Sequence, residues 1–196
     1  MKLSQLTDQQ LCDEVAGTVD AARLAVLADE CDRRDRYTPP PPPQRATLHQ
    51  AALWYASAGI AVFPLMPGTK RPANSHGFLE ATIDAAQIDQ WWTKAPTANI
   101  GLATGLLFDV VDLDGWVGVD TWADIENPPE SLGVVVTPRA EGGGRHVYIA
   151  PTGRRNATKL MPGIDWRGEG GYVVAPPSVL PDGPYWWLHP LRTDAL

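Results

Sequence analysis

The chain reads as an α+β fold. Helix-period patterns come first, strand-like runs dominate from about residue 100 onward, and a run of five prolines separates an N-terminal segment from the rest. Helices first and strands later fit an α+β arrangement rather than a doubly wound parallel sheet.

Residues 1–38 read as a helical appendage. Thr7-Asp8-Gln9-Gln10 fits a capping box, and Leu11, Val15, Val19, Ala22 and Val26 follow at helical spacing. Pro39 to Pro43 cannot be helix, so 39–45 is expected to be a stiff extended linker. The remaining 46–196 is one domain. A helix is expected over 46–58, with Leu48, Ala51, Ala52 and Tyr55 on one face and Gly59 as its stop. A buried strand follows at 60–65, then the loop Pro67-Gly68-Thr69-Lys70-Arg71-Pro72. Thr82-Ile83-Asp84 opens a helix ending near Trp92. Strands are expected at 100–103, 107–113, 133–137, 146–149, 163–166, 171–175 and 185–188.

Composition narrows the function classes. No run of 18 apolar residues suggests a transmembrane helix, and the N-terminus lacks the apolar stretch of a signal peptide. Cys12 and Cys31 both lie in the appendage, too few for a disulfide framework or a four-cysteine zinc site. A cytoplasmic protein with reduced thiols is therefore expected. The net charge of −7 argues against non-specific nucleic-acid binding by the whole chain. Arg139, Arg145, Arg154, Arg155 and Lys159, with only Glu141 against them, form a local positive excess suited to an anion. For Arg154 and Arg155, scattered arginines on a solvated loop are the alternative.

The chemistry is densest at Asp112-Leu113-Asp114, which ends the apolar run that starts at Phe108. On a strand the two carboxylates project to the same face, roughly 7 Å apart along it. Their repulsion is best relieved by a hard divalent cation. An Asp-rich turn closing a strand is the competing account. Gly142-Gly143-Gly144-Arg145-His146 comes next, with glycines that let backbone N–H groups approach a ligand and two side chains suited to a triphosphate. Taken singly, a hairpin turn is the simpler account of the glycines and a hydrogen-bonded structural residue that of the His. Asp165, in Gly163-Ile164-Asp165-Trp166-Arg167-Gly168, sits in an apolar stretch and reads as a third metal ligand or as the ion-pair partner of Arg167. Lys70 could meet a phosphate as a point charge, or be an exposed loop lysine.

In this order, Asp-Leu-Asp-Gly, Gly-Gly-Gly-Arg-His, and Gly-Ile-Asp-Trp-Arg-Gly followed by Ala-Pro-Pro-Ser, the motifs resemble those of the bifunctional DNA primase/polymerase N-terminal domain. This is a branch of the archaeo-eukaryotic primase superfamily found in phages, plasmids and integrated elements. Gly-Ile-Ala-Val-Phe-Pro-Leu, Gly-Thr-Lys-Arg-Pro and Asn-Ile-Gly-Leu-Ala-Thr-Gly resemble the family's opening, so the likeness spans about 48–185. It implies an N-terminal α/β module and a C-terminal module like an RNA-recognition-motif sheet, with the active site between them. Asp112 and Asp114 match its first acidic motif, His146 its nucleotide-contacting histidine, and Asp165 its third motif. Arg139 and Arg145 are added on charge and position only.

The implied activity is template-directed nucleotidyl transfer by a DNA primase and polymerase. Asp112, Asp114 and Asp165 would hold two Mg²⁺ or Mn²⁺ ions about 3.5–4 Å apart. His146, Arg145, Arg139 and Lys70 would bind the nucleotide. The expected partners are single-stranded DNA template, primer and NTP or dNTP, with a helicase module in a further part of the protein or on another chain. The end at Arg192-Thr193-Asp194-Ala195-Leu196 fits a fragment of a larger replication protein of phage or plasmid type. No zinc and no membrane partner are expected. Two other classes stay open: a glycosyltransferase using Asp-x-Asp, and a non-catalytic nucleic-acid-binding module of primase fold.

Overall fold

The structure, a computed structural model, describes residues 46–138 and 143–196. The expected appendage, the proline linker and Arg139 lie outside these residues. Helix α1, Leu48–Ser57, starts at Thr47, whose hydroxyl accepts from the Gln50 N–H while the Gln50 side chain accepts from the Thr47 N–H. Its buried face is Ala51, Ala52, Tyr55 and Ala56. Strand β1, Val62–Leu65, is wholly buried. A 3₁₀ turn at Gly77–Glu80 leads to helix α2, Ala85–Lys94, capped by the Asp84 carboxylate on the Ala86 N–H. Strand β2, Asn99–Ala103, and β3, Asp109–Leu113, follow.

Helix α3, Gly115–Ala123, comes next and was not expected. Its sequence, Gly-Trp-Val-Gly-Val-Asp-Thr-Trp-Ala, is rich in glycine and β-branched residues, so local propensity argues against it. Packing overrides that propensity. A Cβ on Gly118 would lie 2.2 Å from the Gly163 carbonyl oxygen, so the helix rests directly on the turn before the last motif. Strand β4, Ser131–Thr137, and β5, Gly144–Ile149, then pair as antiparallel neighbours. The two strands therefore form a hairpin, with Gly144 the first residue of its return strand. Strand β6, Ala157–Met161, was also not expected, because its mostly exposed residues carry no period-two apolar signal. Strands β7, Ile164–Arg167, β8, Tyr172–Ala175, β9, Val179–Leu180, β10, Gly183–Pro184, and β11, Trp186–His189, complete the chain.

Among the described residues the strands form a three-stranded sheet, β1-β2-β8, a small hairpin, β10-β9, and a six-stranded sheet, β11-β4-β5-β3-β7-β6. The named pairings are all antiparallel, so the class is α+β as expected. Pro64 is tolerated within β1 because that strand is an edge of its sheet.

One hydrophobic core joins α1, α2 and the three-stranded sheet to one face of the six-stranded sheet, through Val110, Val135, Tyr148 and Trp187. The opposite face, with Val111, Leu113, Val147, Ile149, Ile164 and Trp166, is covered by Val119 and Trp122 of α3. The strand period of two decides which residues go to which face. No helix among the described residues is long and apolar enough to cross a membrane.

Candidate active site

Asp112 lies on β3, flanked in the six-stranded sheet by β5 and β7. The register sets it directly opposite His146 of β5 on one side and Asp165 of β7 on the other. Directly opposed residues of antiparallel strands share a face. Three residues separated by up to 53 positions thus stand in one row across three strands. The row continues as Val135 of β4 and Trp187 of β11, so it runs from the apolar core outward to a polar end.

The polar end is held by charge. His146 Nε2 lies 3.6 Å from Asp112 Oδ1, and Arg167 Nη2 lies 3.0 Å from Asp112 Oδ2 and 2.8 Å from Asp165 Oδ2. The other Asp165 oxygen accepts the Lys159 backbone N–H at 2.7 Å. The His146 ring is buried and lies 5.8 Å from the Tyr185 ring, centroid to centroid. Burial works to raise the pKa of Asp112. The charges of His146, Arg167 and Lys70 and the Arg167 hydrogen bond outweigh it and hold this carboxyl below the usual range.

Lys70 acts on Asp112 from the loop after β1, and that loop is pinned. Buried Asn99 donates to the Thr69 carbonyl at 3.1 Å and exchanges bonds with Val179, while the Tyr172 hydroxyl donates to the Lys70 carbonyl at 3.1 Å. The segment behind the last motif is tied in as well: the Ile100 N–H donates to the Ser178 hydroxyl oxygen at 2.8 Å. The Gly-Thr-Lys and Ala-Pro-Pro-Ser stretches therefore meet on the two sides of β2.

Other sequence-predicted residues are placed differently. Asp114 follows β3 with an extended backbone, in phase with Asp112, and is the N-cap of α3, although its side chain makes no capping bond. Its N–H donates to the Gly163 carbonyl at 2.7 Å. Arg145 pairs with Leu113 and Val136, one position out of phase with His146, so alternation sends it to the opposite face. There it lines a groove with Val119 and Trp122 of α3 and is not brought together with Asp112. Arg139 lies outside the described residues.

Among the described residues no three His, Cys, Asp or Glu side chains converge closely enough to hold a metal ion. The expected triad of Asp112, Asp114 and Asp165 is not assembled in this conformation, and Arg167 stands between two of its members. Spacing had offered Arg167 only as the partner of Asp165. Its second bond, to Asp112, depends on the β3–β7 register and had no signal in the sequence.

No curated protein matches the chain. A family model described as the bifunctional DNA primase/polymerase N-terminal domain matches residues 52–196, which takes in α1 from Ala52, both sheets and the whole row from His146 to Asp165. By that match the chain belongs to the bifunctional DNA primase/polymerase N-terminal family.

Proposed function

We propose that this domain carries out template-directed nucleotidyl transfer to a 3′-hydroxyl, as the primase and polymerase part of a phage- or plasmid-type replication protein. The observation that carries the reading is the row His146–Asp112–Asp165, in which three motifs far apart in sequence become cross-strand neighbours. Family membership supports a primase/polymerase-type activity. In this reading the six-stranded sheet is the RNA-recognition-motif-like module, and β1-β2-β8 with α1 and α2 is the companion unit.

The donor set fits hard divalent cations. Asp112 and Asp165 are opposed carboxylates, Asp114 follows in phase, and a guanidinium already occupies the position of positive charge between two of them. Asp112, Asp114 and Asp165 would hold Mg²⁺ or Mn²⁺ once Arg167 has moved and the three carboxylates have converged on the ion. Bound ions would lower the pKa of the attacking 3′-hydroxyl and neutralise charge on the triphosphate. His146, backed by the Tyr185 ring, would orient the triphosphate beside Asp112. Lys70, on its pinned loop, would attract the same anion by charge. Rate enhancement would then come mainly from positioning and preset electrostatics. A glycosyltransferase would use Asp112 and Asp114 but leave the opposed His146 and Asp165 without a role.

The test offers single-stranded template with labelled ribo- and deoxynucleotides, with and without primer, in Mg²⁺ and in Mn²⁺. Incorporation dependent on template is expected, and Asp112→Asn should reduce it by at least about a hundredfold while the protein stays folded. Incorporation by Asp112→Asn at the wild-type rate would overturn the assignment. Binding of DNA without incorporation would favour the non-catalytic module.

A further inference from the structure

Arg167 makes its hydrogen bonds, among the described residues, to Asp112 and Asp165. It sits one cross-strand pair away from them on the same face, opposite Val110. Its side chain is 28% exposed, against 17% for each carboxylate, so the guanidinium has a way out to solvent that the carboxylates do not need. Each carboxylate also has a second neighbour. Asp165 is held by the Lys159 N–H and Asp112 faces His146. The arrangement is therefore two anionic donors bridged by one partly exposed cation.

Resting on the reading of Asp112 and Asp165 as metal ligands, we propose that Arg167 is a built-in rival of the divalent cation. Its guanidinium must leave the carboxylate pair before an ion can seat there, and the cost of leaving sets the metal affinity of the site. An ion and the guanidinium cannot share the same carboxylate oxygens, because like charges at contact distance repel and each needs the same lone pairs. Arg167 thus keeps the paired carboxylates compensated when no metal is present, and it weakens metal binding in exchange.

Direct titration of the full chain with Mn²⁺, followed by the paramagnetic resonance of free Mn²⁺ and without nucleotide, tests this. Because the pair is partly exposed, R167Q should bind Mn²⁺ only about tenfold more tightly than wild type. R167K, which keeps the charge but loses the forked contact, should fall between the two. Asp112→Asn should weaken binding in both backgrounds. Equal or weaker binding by R167Q, with binding still sensitive to Asp112→Asn, would overturn the rivalry and leave the metal site standing. Absence of binding by both wild type and R167Q would remove the metal reading itself. If R167Q does not fold by circular dichroism, R167K decides: tighter binding supports the proposal and unchanged binding overturns it.

Discussion

Asp112 meets His146 on one oxygen and Arg167 on the other, and both contacts favour its charged form. A carboxyl held below its ordinary value stabilises the fold above the unfolded-state pKa of about 3.9, and that contribution is lost as pH falls through the folded value. The melting temperature should therefore fall as the pH drops below about 4, and Asp112→Asn should flatten that fall. Melts at stepped pH check this, and identical acid limbs for the two proteins would refute it. His146→Ala should raise the KM for nucleotide by about tenfold or more with a smaller effect on kcat, since its proposed role is to orient the triphosphate; steady-state kinetics with varied nucleotide would show an unchanged KM if it has no such role. Asp109 is a lesson at the same scale. It belongs to the same acidic run as Asp112, but alternation buries it on the other face, where it accepts the Thr152 N–H at 3.0 Å. Period two sorts the three aspartates of that run by face, and it also separates Arg145 from His146.

The elements rest on a few close approaches. Gly118 of α3 and Gly163 of the β6–β7 turn touch backbone to backbone, and Gly163 has a positive φ of 68°. Gly118→Ala would drive a methyl into the Gly163 carbonyl and push α3 off the sheet, at a cost of about 1–3 kcal/mol. Urea unfolding should show a lower midpoint, and an unchanged midpoint would mean that α3 can shift freely. Because Asp114 stands at the N-cap position of α3 and its N–H bonds to Gly163, the same substitution should disturb the end of the acidic motif. Most elements were legible in the sequence as apolar runs or periodic helical faces; in α1 and β4 pattern and packing agree. Helix α3 was not, because its helical state is imposed by contact with Gly163 rather than by propensity. Strand β6 was not, because its edge position asks for no apolar pattern.

At the scale of the whole molecule the two sheets are joined by a buried polar stitch. The Tyr55 hydroxyl of α1 donates to the Pro176 carbonyl at 2.9 Å and accepts from Trp187 Nε1 of β11 at 3.2 Å. Burial pushes this tyrosine far above its ordinary pKa, so it is a neutral donor under all working conditions. The Trp187 ring lies 5.1 Å from Tyr148, whose strand also carries His146. Tyr55→Phe would leave the Pro176 carbonyl and the Trp187 N–H without that partner and should cost about 1–3 kcal/mol. Chemical denaturation should show one cooperative transition at lower denaturant; no shift would mean that the stitch contributes nothing net.

Sequence alone determined the α+β class, the order of most elements and the identity of Asp112, His146 and Asp165 as candidates, because periodicity and motif order are local properties of the chain. Tertiary structure alone decided that these three stand in one cross-strand row and that Arg167 bridges two carboxylates. Each of those depends on strand register, and register is set by pairing between segments that no local pattern connects.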